Sequence, residues 1–444
     1  MRVSSWPEVA LGGVVSSLGG LWGEAEPVDG YVEVLALRGT DFARARALDL
    51  SGVPRRFEKA KAVGKRLLDT TSVVMEASGG SKDQPVGRSI LIKQNLLDRA
   101  DVPLSAASFC KILWVDEAVA DARFIHAVLD NLYRSGEVER FQTQSTGLRN
   151  LRTKQLLAEF RFGLPPIDAQ RRIAAVLSAF DELIEINERR IELLEDLARS
   201  LYREWFVHFR FPGHEDVELV DSALGPIPEG WEVRQLRDTV TLDKGLSYKG
   251  AHLTDVGQPM ANLKCLARSG GFRRDGTKLY SGPFTLRHAV SPGDLVIANT
   301  DLTQAGNVIG SPALIPARTY AEGGLISHHL FAVRPVDGLA TVPFLFQMFA
   351  HETFRAFARG RASGTTVLGL RAEDALGFRF VTPPAELRDA FSTAAAGLHQ
   401  HAEALRDLNE DLVATRDLLL PRLVTGRLDI SDIDLGILTP AEAE

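Results

Sequence analysis

Cysteine is almost absent from this sequence, with two among 444 residues. Cys110 and Cys265 stand alone, and neither has the CxxC spacing of a zinc framework or a partner set for disulfides. Isolated cysteines of this kind are typical of a reducing compartment. The N-terminal residues also lack the apolar stretch of a secretory signal peptide, so we expect a cytoplasmic protein.

Long apolar runs and an excess of positive charge are absent as well. No uncharged stretch of about 18 apolar residues occurs, and we therefore expect no membrane partner. The formal net charge is −7, with a pI of about 5.9. An acidic average of this kind, taken over the whole chain, argues against a nucleic-acid partner.

The motifs of several enzyme classes are missing too. The sequence contains no GxxxxGK[ST], GxGxxG, HExxH or GxSxG motif. Pro165-Pro166 lacks the preceding Asn and the following aromatic residue of an adenine methyltransferase signature, and it is interpreted as a helix entry. The pair His328-His329 has no third metal ligand in view, which favours a structural role. We therefore expect no catalytic residues and no metal site, and a self-contained nuclease or methyltransferase is disfavoured.

An internal repeat occupies the whole sequence. Phe-Arg-Phe followed by Pro-Pro occurs at residues 160–166 and again at 378–384, a spacing of 218. Earlier in each half, Trp6 matches Trp231 at a spacing of 225, and residues 67–78 match residues 289–300 at 222. The ordered matches indicate two copies of one unit, each a globular segment followed by Pro-Pro and a helix.

The segments after each Pro-Pro have the apolar period of long helices. The spacing averages 3.5 residues, as in a coiled coil, and each helix would run for about 37 residues, or about 55 Å. Neither can bury its apolar stripe alone, so we predict that the two pair antiparallel, with the globular units at opposite ends. The alternative is that each helix packs on its own domain. The predicted seam consists of Ile173, Leu177, Phe180, Ile184, Asn187, Ile191, Leu194, Ala198, Leu201 and Trp205, and of Phe391, Ala395, Leu398, Ala402, Leu405, Asn409, Leu412, Arg416, Leu419 and Leu423.

The globular segments contain short β-rich runs with helices between them. The predicted fold class is therefore α/β (mixed α+β), with two globular domains joined by two long helices in a pseudo-two-fold repeat. The predicted boundaries are 1–163 for the first domain, 164–212 for the central helical region, 213–230 for a linker, 231–382 for the second domain, 383–427 for the C-terminal helical region and 428–444 for a tail.

Charge is divided unevenly between these segments. Residues 1–160 and 230–380 carry +1 and +5 (21 basic against 20 acidic, and 17 against 12), whereas residues 161–229 and 381–444 carry −6 and −7 (8 against 14, and 5 against 12). The acidity therefore lies in the helices and tails. A basic face on the globular domains is compatible with the acidic average, and phosphate contact requires only a face.

The helical segments also carry a family resemblance. The sequence LPPIDAQRRIAAVLSAFDELIEINERRIELLEDLARSLYREWFVHFRFPGH at residues 164–214 is similar to the central region of the specificity subunit of type I restriction–modification systems. LLLPRLVTGRLDI at residues 418–430 and GDLVIANTDLTQAGNVIGSPALIP at residues 293–316 are similar to that family as well. The chain departs from the family at Thr71-Ser72, where the second half keeps Gly293-Asp294.

The resemblance implies a function for each part. Each globular domain would be a target recognition domain for one half of a bipartite site in double-stranded DNA. The helices would set the spacing and dock methyltransferase (modification) subunits, and a restriction/translocase subunit would complete the complex. This chain would be non-catalytic and bind no cofactor, and S-adenosylmethionine, ATP and Mg would belong to partner subunits. The alternative is a coiled-coil scaffold for proteins without a DNA role.

Candidate DNA contacts follow from basic and glycine-rich loops. Arginine and lysine reach phosphates, glycine permits close backbone approach, and Asn and Gln pair with adenine. Solvated helix faces and ordinary capping turns are the alternatives. In the first domain the candidates are Arg55, Arg56, Lys59, Lys65, Arg66, Ser78, Gly79, Gly80, Ser81, Lys82 and Arg88. In the second they are Tyr248, Lys249, Arg268, Arg273, Arg274, Lys278, Asn299, Thr300, Asp301, Thr303 and Gln304.

Overall fold

The computed structural model describes residues 6–80, 85–145, 148–336 and 338–430. Its contacts divide the chain into two units. The first unit combines the residues up to 186 with those from 409 onward, and the second comprises residues 187–408. Each unit therefore contains a globular domain together with parts of both long helices.

The first unit contains two main sheets. A four-stranded antiparallel sheet has the order Val15–Gly19, Cys110–Val115, Ser72–Glu76, Ser89–Leu91. A three-stranded sheet places Tyr31–Leu37 between Arg55–Lys59, antiparallel, and Leu104–Ala106, parallel. Ser72–Glu76 lies between two neighbouring strands, and its Ser-Val-Val-Met-Glu run is buried at all five positions. Burial at every position is typical of a strand covered on both faces.

Short strands and helices complete the first unit. Gln142–Ser145, Leu148–Leu151 and Ser78–Gly80 form a three-stranded sheet, and Glu8–Ala10 pairs with Arg161–Gly163. Its shorter helices are Phe42–Arg46, Ala60–Gly64, Gln94–Leu97, Ala122–Arg134 and Thr153–Glu159. Asp121 caps the longest of these, because its side chain accepts hydrogen bonds from the backbone of Arg123 and Phe124.

The second unit repeats the four-stranded antiparallel sheet of the first, and its second main sheet has four strands where that of the first unit has three. Its antiparallel four-stranded sheet runs Val240–Lys244, Leu330–Pro335, Leu295–Ala298, Pro312–Leu314. Its other four-stranded sheet runs Lys278–Tyr280, Leu253–Ala261, Gly324–Ile326, Ala289–Val290. Smaller pairs join Glu232–Gln235 to Arg379–Thr382, Thr300–Asp301 to Leu368–Gly369, and Leu219–Val220 to Ile227–Pro228 within the predicted linker. Its shorter helices are Val342–Ala350, Glu352–Arg361 and Ala372–Leu376.

Two glycines mark the repeat at the level of backbone packing. A Cβ atom on Gly20 would lie 2.2 Å from the carbonyl oxygen of Ala107, and one on Gly245 would lie 2.3 Å from that of Ser327. No larger residue fits either position. The same close approach at residues 225 apart confirms that the two globular domains are copies of one fold.

The two long helices run from Ile167 to Tyr202 and from Ala385 to Val424. We refer to them as the central helix and the C-terminal helix. The central helix begins directly after Pro165-Pro166, and the Gln170 side chain fixes this start by donating to the Pro165 carbonyl (2.9 Å) and accepting from the backbone of Asp121 (2.9 Å). A short π-helical stretch, Arg203–Val207, follows it.

Within the first unit the helices pair antiparallel. Arg416 donates to Asp181 at 2.6 Å, and the Asn409 amide lies 3.4 Å from the carbonyl oxygen of Ile184. The helix ends also enter the core of the globular domain, where Ile173 and Leu423 are buried. The predicted pairing is confirmed, and packing on the domain, which was its alternative, occurs together with it.

Within the second unit the same pairing continues. Ile191 and Leu194 of the central helix pack against Ala402 and Leu405 of the C-terminal helix. An aromatic group closes the end of this pair, where the Phe391 ring lies 4.9 Å from Phe206 and 6.1 Å from Tyr202. These rings belong to the main core of the second globular domain.

In the part of the chain that the structure describes, no helix combines the length and apolar character that a membrane span requires.

His399 couples the second unit to pH. Burial, followed by the nearby charge of Arg406, lowers the pKa of His399 to about 4. Gln347 Nε2 lies 3.0 Å from His399 Nε2, so the neutral ring accepts a hydrogen bond from the globular domain. The unfolded chain takes up this proton near the ordinary value of about 6.5. The stability from the neutral ring is therefore complete above about pH 6.5 and is lost as the pH falls toward about 4.

We predict that His399→Gln makes the unfolding free energy less dependent on pH. The depressed pKa corresponds to about 3 kcal/mol between pH 6.5 and 4. Urea unfolding at a series of pH values measures this difference, and His401→Gln, on the same helix at an exposed position, is the matched control. Identical pH profiles for the wild type and His399→Gln would contradict the assignment.

Candidate nucleic-acid interface

Corresponding loops of the two domains carry the candidate contacts. The Ala77 backbone N–H donates to the Phe109 carbonyl at 2.8 Å, and that of Asn299 donates to the His329 carbonyl at 3.0 Å. Ala77 therefore corresponds to Asn299, and Phe109 to His329. The candidate loops that begin at Ser78 and at Thr300 thus occupy the same place in the repeated fold.

In the second domain the structure brings together residues from four separate parts of the sequence. Lys278 Nζ donates to the Tyr248 hydroxyl at 3.0 Å and lies 5.4 Å from the centre of that ring. The rings of His328 and His329 are 3.9 Å apart, and Tyr248 is 6.2 Å from His328. His329 Nδ1 lies 3.2 Å from the Thr300 hydroxyl. We call these five residues the imidazole cluster.

The histidines of the imidazole cluster are neutral near pH 7. Burial lowers the pKa of both rings, and His328, Lys244 and Lys278 lower that of His329 further. A neutral imidazole has one donor and one acceptor nitrogen. The cluster therefore combines a cation for phosphate with an aromatic hydroxyl and imidazoles that can match donor and acceptor groups on base edges.

The loop after strand Leu295–Ala298 is held by its own polar side chains. The Asn299 amide donates to the His328 carbonyl at 3.1 Å, and Thr300 Oγ1 donates to Asn299 Oδ1 at 2.6 Å. The Asp301 carboxylate accepts from the backbone of Thr303 at 2.7 Å and of Val308 at 3.0 Å. Asn299 and Asp301 are 3% and 5% exposed, so their side chains are buried and stabilise the loop. This agrees with the alternative that these residues form a capping turn.

Arg355 stabilises this loop from its buried side. The sequence did not predict this role. It is 5% exposed, and its guanidinium donates to the carbonyl oxygens of Ile309 (2.9 Å), Arg268 (3.0 Å) and Asn307 (2.5 Å). Burial lowers its pKa to about 10, which leaves it charged at neutral pH. A single arginine thereby connects the two predicted contact loops of the second domain.

The remaining candidates of that domain lie at the surface. Gln304 is exposed, and its amide donates to the Thr365 carbonyl at 2.9 Å. Thr303 donates its hydroxyl to Asp301 at 2.8 Å, and Lys249 is exposed. Thr303 and Gln304 belong to the loop that Arg355 supports, and none of these three residues is part of the imidazole cluster.

The adjacent arginines at 273 and 274 have different surroundings. Arg273 forms an exposed ion pair with Asp275 at 2.9 Å. The Arg274 side chain is 13% exposed, and it donates to Glu403 at 2.8 Å and Asp407 at 2.6 Å on the C-terminal helix. Arg274 therefore has acidic partners within the protein, whereas Arg268 is exposed.

In the first domain, the loops that correspond to those of the imidazole cluster carry aromatic side chains. The Arg56 guanidinium lies 4.2 Å from the centre of the Trp22 ring, a cation–π contact. Trp22 is 39% exposed and Phe109 is 60% exposed. The β-bridge between Leu21 and Ala107 brings the segments that carry Trp22 and Phe109 side by side, and we call Trp22, Arg56 and Phe109 the aromatic patch. Exposed rings of this kind can stack on bases or pack against thymine methyl groups.

Three other arginines of the first domain are engaged internally. Arg55 pairs with Glu33 at 2.9 Å and Asp101 at 2.5 Å, and Arg66 donates to the Gly19 carbonyl at 2.8 Å. Arg88 forms a bidentate ion pair with the buried Glu76, with both hydrogen bonds at 2.9 Å. Lys59 and Lys65 are exposed at the ends of a strand and a short helix.

The glycine-rich loop of the first domain begins as a strand. Ser78 Oγ donates to the Asn150 side chain at 2.5 Å, and Gly79 has a φ of +123°. That conformation favours glycine. Gly80 pairs through its backbone with Arg149. Ser81 and Lys82 lie outside the described residues.

Sequence reasoning missed the exposed Phe109 and Trp22 and assigned His328 and His329 a structural role. The spacing of about 220 between Phe109 and His329 was the available signal, because it continues the internal repeat. Among the described residues, no three His, Cys, Asp or Glu side chains are grouped as a metal ion would require.

Comparisons with known proteins agree with this architecture. A family model described as the type I restriction modification DNA specificity domain matches residues 106–196. The type I restriction enzyme MjaVIII specificity subunit of Methanocaldococcus jannaschii is 22% identical over 327 residues, 69% of this chain and 72% of that protein. The MjaIX specificity subunit of the same organism is 23% identical over 286 residues, 62% of each chain.

A solved structure shows that the fold is shared. The crystal structure of the type I restriction–modification system S subunit from M. genitalium matches with a TM-score of 0.57 and 16% identity, over 97% of this chain and 99% of that one. The fold defines the chain as a two-unit repeat protein with paired long helices. The sequence matches are to specificity subunits of type I restriction enzymes, which bears out the resemblance seen in the helical segments.

We predict that Arg355→Met destabilises the second unit by about 2–4 kcal/mol, because three carbonyl groups lose a charged donor. Urea unfolding measures the loss. Arg359→Met is the control, because Arg359 lies one turn further on and pairs at the surface with Glu352; its effect should stay within about 0.5 kcal/mol. Equal losses for the two variants would show that the loop does not depend on Arg355.

Proposed function

We propose that this chain is the DNA-sequence-specificity subunit of a type I restriction–modification complex, with each globular domain binding one half of a bipartite target in double-stranded DNA. The observation that carries the proposal is the repeated fold with a polar or aromatic cluster at the same place in each copy. The imidazole cluster and the aromatic patch occupy corresponding loops, and a split site requires two such surfaces. The target recognition domains in this proposal are residues 1–163 and 231–382.

Charge supports the assignment of DNA to the globular domains. The second domain segment carries +5 and the first +1, while the two helical segments carry −6 and −7. Phosphate contacts need local cations, and exposed Lys59, Lys65, Lys249 and Arg268 supply them in this proposal. The acidic helices belong with protein partners.

The different chemistry of the two clusters supports different half-sites. A neutral histidine beside a lysine offers hydrogen bonds and a charge, whereas Phe109 and Trp22 offer stacking and apolar contact. Because Phe109 and His329 correspond in the fold, the two domains would present unlike groups to equivalent positions of each half-site. The target would then be asymmetric.

The helices are proposed to hold the partner subunits. Leu183 is 48% exposed in the first unit, and Leu193 and Leu197 are 63% and 54% exposed in the second. Apolar side chains exposed on a charged helix are typical of protein interfaces. Methyltransferase subunits would dock there, and a restriction/translocase subunit would join the complex.

Chemistry is assigned to the partners in this proposal. The chain would be non-catalytic, with S-adenosylmethionine, ATP and Mg bound by the methyltransferase and restriction subunits. Recognition by this chain would then contribute by positioning a target adenine for a partner that extrudes the base from the duplex.

We consider the chain in complex with methyltransferase subunits, bound to its bipartite duplex. We predict that Lys278→Ala lowers the affinity of this complex for the duplex about tenfold. The slope of log affinity against log salt concentration should also fall by about one, as expected for the loss of one phosphate contact. His329→Ala should lower affinity by about 1–3 kcal/mol and relax selectivity in one half-site only. Gel-shift titration over a range of salt concentrations measures both effects.

Arg379→Ala is the control for both variants, since it removes an exposed cation of the second unit away from the cluster. Wild-type affinity in the Lys278 and His329 variants would reject the imidazole cluster as the reading surface. Failure of the wild-type complex to select any split site would instead favour a coiled-coil scaffold without a DNA role.

A further inference from the structure

In each unit, one row of side chains with alternating charge connects the globular domain to both long helices. We call each of these rows a charge chain. In the second unit, Arg274 of the domain contacts Glu403 of the C-terminal helix at 2.8 Å, and Glu403 contacts Arg406 of the same helix at 2.7 Å. Arg406 in turn contacts Glu195 of the central helix. The chain thus passes from domain to helix to helix through four residues.

The first unit contains the same arrangement built from other residues. Arg134, at the end of helix Ala122–Arg134, contacts Asp417 of the C-terminal helix at 2.8 Å. Asp417 contacts Arg416 at 2.9 Å, and Arg416 contacts Asp181 of the central helix at 2.6 Å. Neither chain follows from the sequence repeat, because the residues involved do not correspond by spacing.

The geometry of the second chain is suited to fixing orientation. The Arg274 guanidinium binds two carboxylates one helical turn apart, Glu403 and Asp407, with different nitrogen atoms. Such a fork resists rotation as well as translation. Arg318 adds a hydrogen bond to the Asp407 carbonyl at 3.2 Å from another loop of the domain. Since the Arg274 side chain is 13% exposed, salt screens these contacts less than it screens a surface pair.

We propose that these two charge chains are orientation clamps, and that Arg274 and Arg134 are positioning residues that set the angle of each reading domain on its own helices. The inference rests on the proposed function, because orientation matters for a domain that reads half of a split site. One added base pair between half-sites moves the second half by about 3.4 Å and rotates it by about 35°. A domain held firmly on its helices cannot follow the shifted and rotated half-site. A domain whose contacts with the helices are weakened can follow it more easily.

The clamp assigns Arg274 a role different from a direct DNA contact, and two sets of variants separate the roles. Arg274→Met removes the cation, and the double variant Glu403→Gln with Asp407→Asn removes only its helix partners. If Arg274 positions the domain, both variants should behave alike. If Arg274 binds DNA, the double variant should keep or raise the affinity while Arg274→Met lowers it.

The experiment measures binding of the complex with methyltransferase subunits to duplexes whose spacer is correct or is one base pair shorter or longer. In the wild type, we expect strong preference for the correct spacer. In Arg274→Met and in the double variant, the preference should fall about tenfold, or about 1.4 kcal/mol, while contacts within each half-site keep their base selectivity. Arg274→Lys, which keeps the charge without the fork, should be intermediate.

Arg273→Met is the matched control for spacer preference, because Arg273 forms an exposed pair with Asp275 that involves neither long helix. In the first unit, Arg134→Met should relax the spacer preference in the same way, and Arg140→Met, which breaks a surface pair with Glu137, should not. Thermal unfolding of each variant verifies that it is folded.

Two failures of this experiment are distinguishable. A wild-type complex that binds no split duplex overturns the proposed function and, with it, the clamp. A wild-type complex that selects one spacer, combined with clamp variants that select it just as strictly, overturns the clamp alone. If Arg274→Met does not fold, the double variant on the helix decides between the same outcomes.

Discussion

The antiparallel pairing of the central and C-terminal helices is the interaction on which the rest of the structure depends. Each helix carries an apolar stripe that it cannot bury alone, and each stripe is covered by the other helix and by a globular core. In the first unit, Ile173 and Leu423 join the core of the first domain, and in the second, Phe391 joins the core of the second. As a consequence each unit contains residues from both halves of the sequence, although the repeat itself is linear.

The same repeated framework supports two different surfaces. Equivalent strands, and the close backbone approach at Gly20 and Gly245, hold the loops in equivalent places. The side chains at those places differ, with Phe109 in one domain and His329 in the other. This division between a constant framework and variable loops is the physical basis for proposing that one chain reads two unlike half-sites.

The architecture could be predicted from the sequence, whereas the composition of the candidate nucleic-acid interface could not. The 3.5-residue period and the matched Pro-Pro segments predicted the helices and the repeat, because apolar periodicity responds directly to burial. The fate of individual cations could not be predicted in this way. Arg273 and Arg274 are adjacent and identical in type, yet one forms a surface pair and the other a partly buried fork with Glu403 and Asp407. That difference depends on tertiary contacts more than 100 residues away in sequence. The support that Arg355 gives to its loop likewise depends on contacts that are distant in sequence.

Mapping of methylated adenines in cells that contain the complete complex tests whether one chain specifies both halves of a split DNA target. Recognition of both halves by one chain would give a single asymmetric motif of two short half-sites separated by a fixed number of unspecified base pairs. Exchanging residues 231–382 for the corresponding domain of a related specificity subunit would replace one half-site and leave the other unchanged. A continuous motif, or a change in both halves after the exchange, would contradict the account.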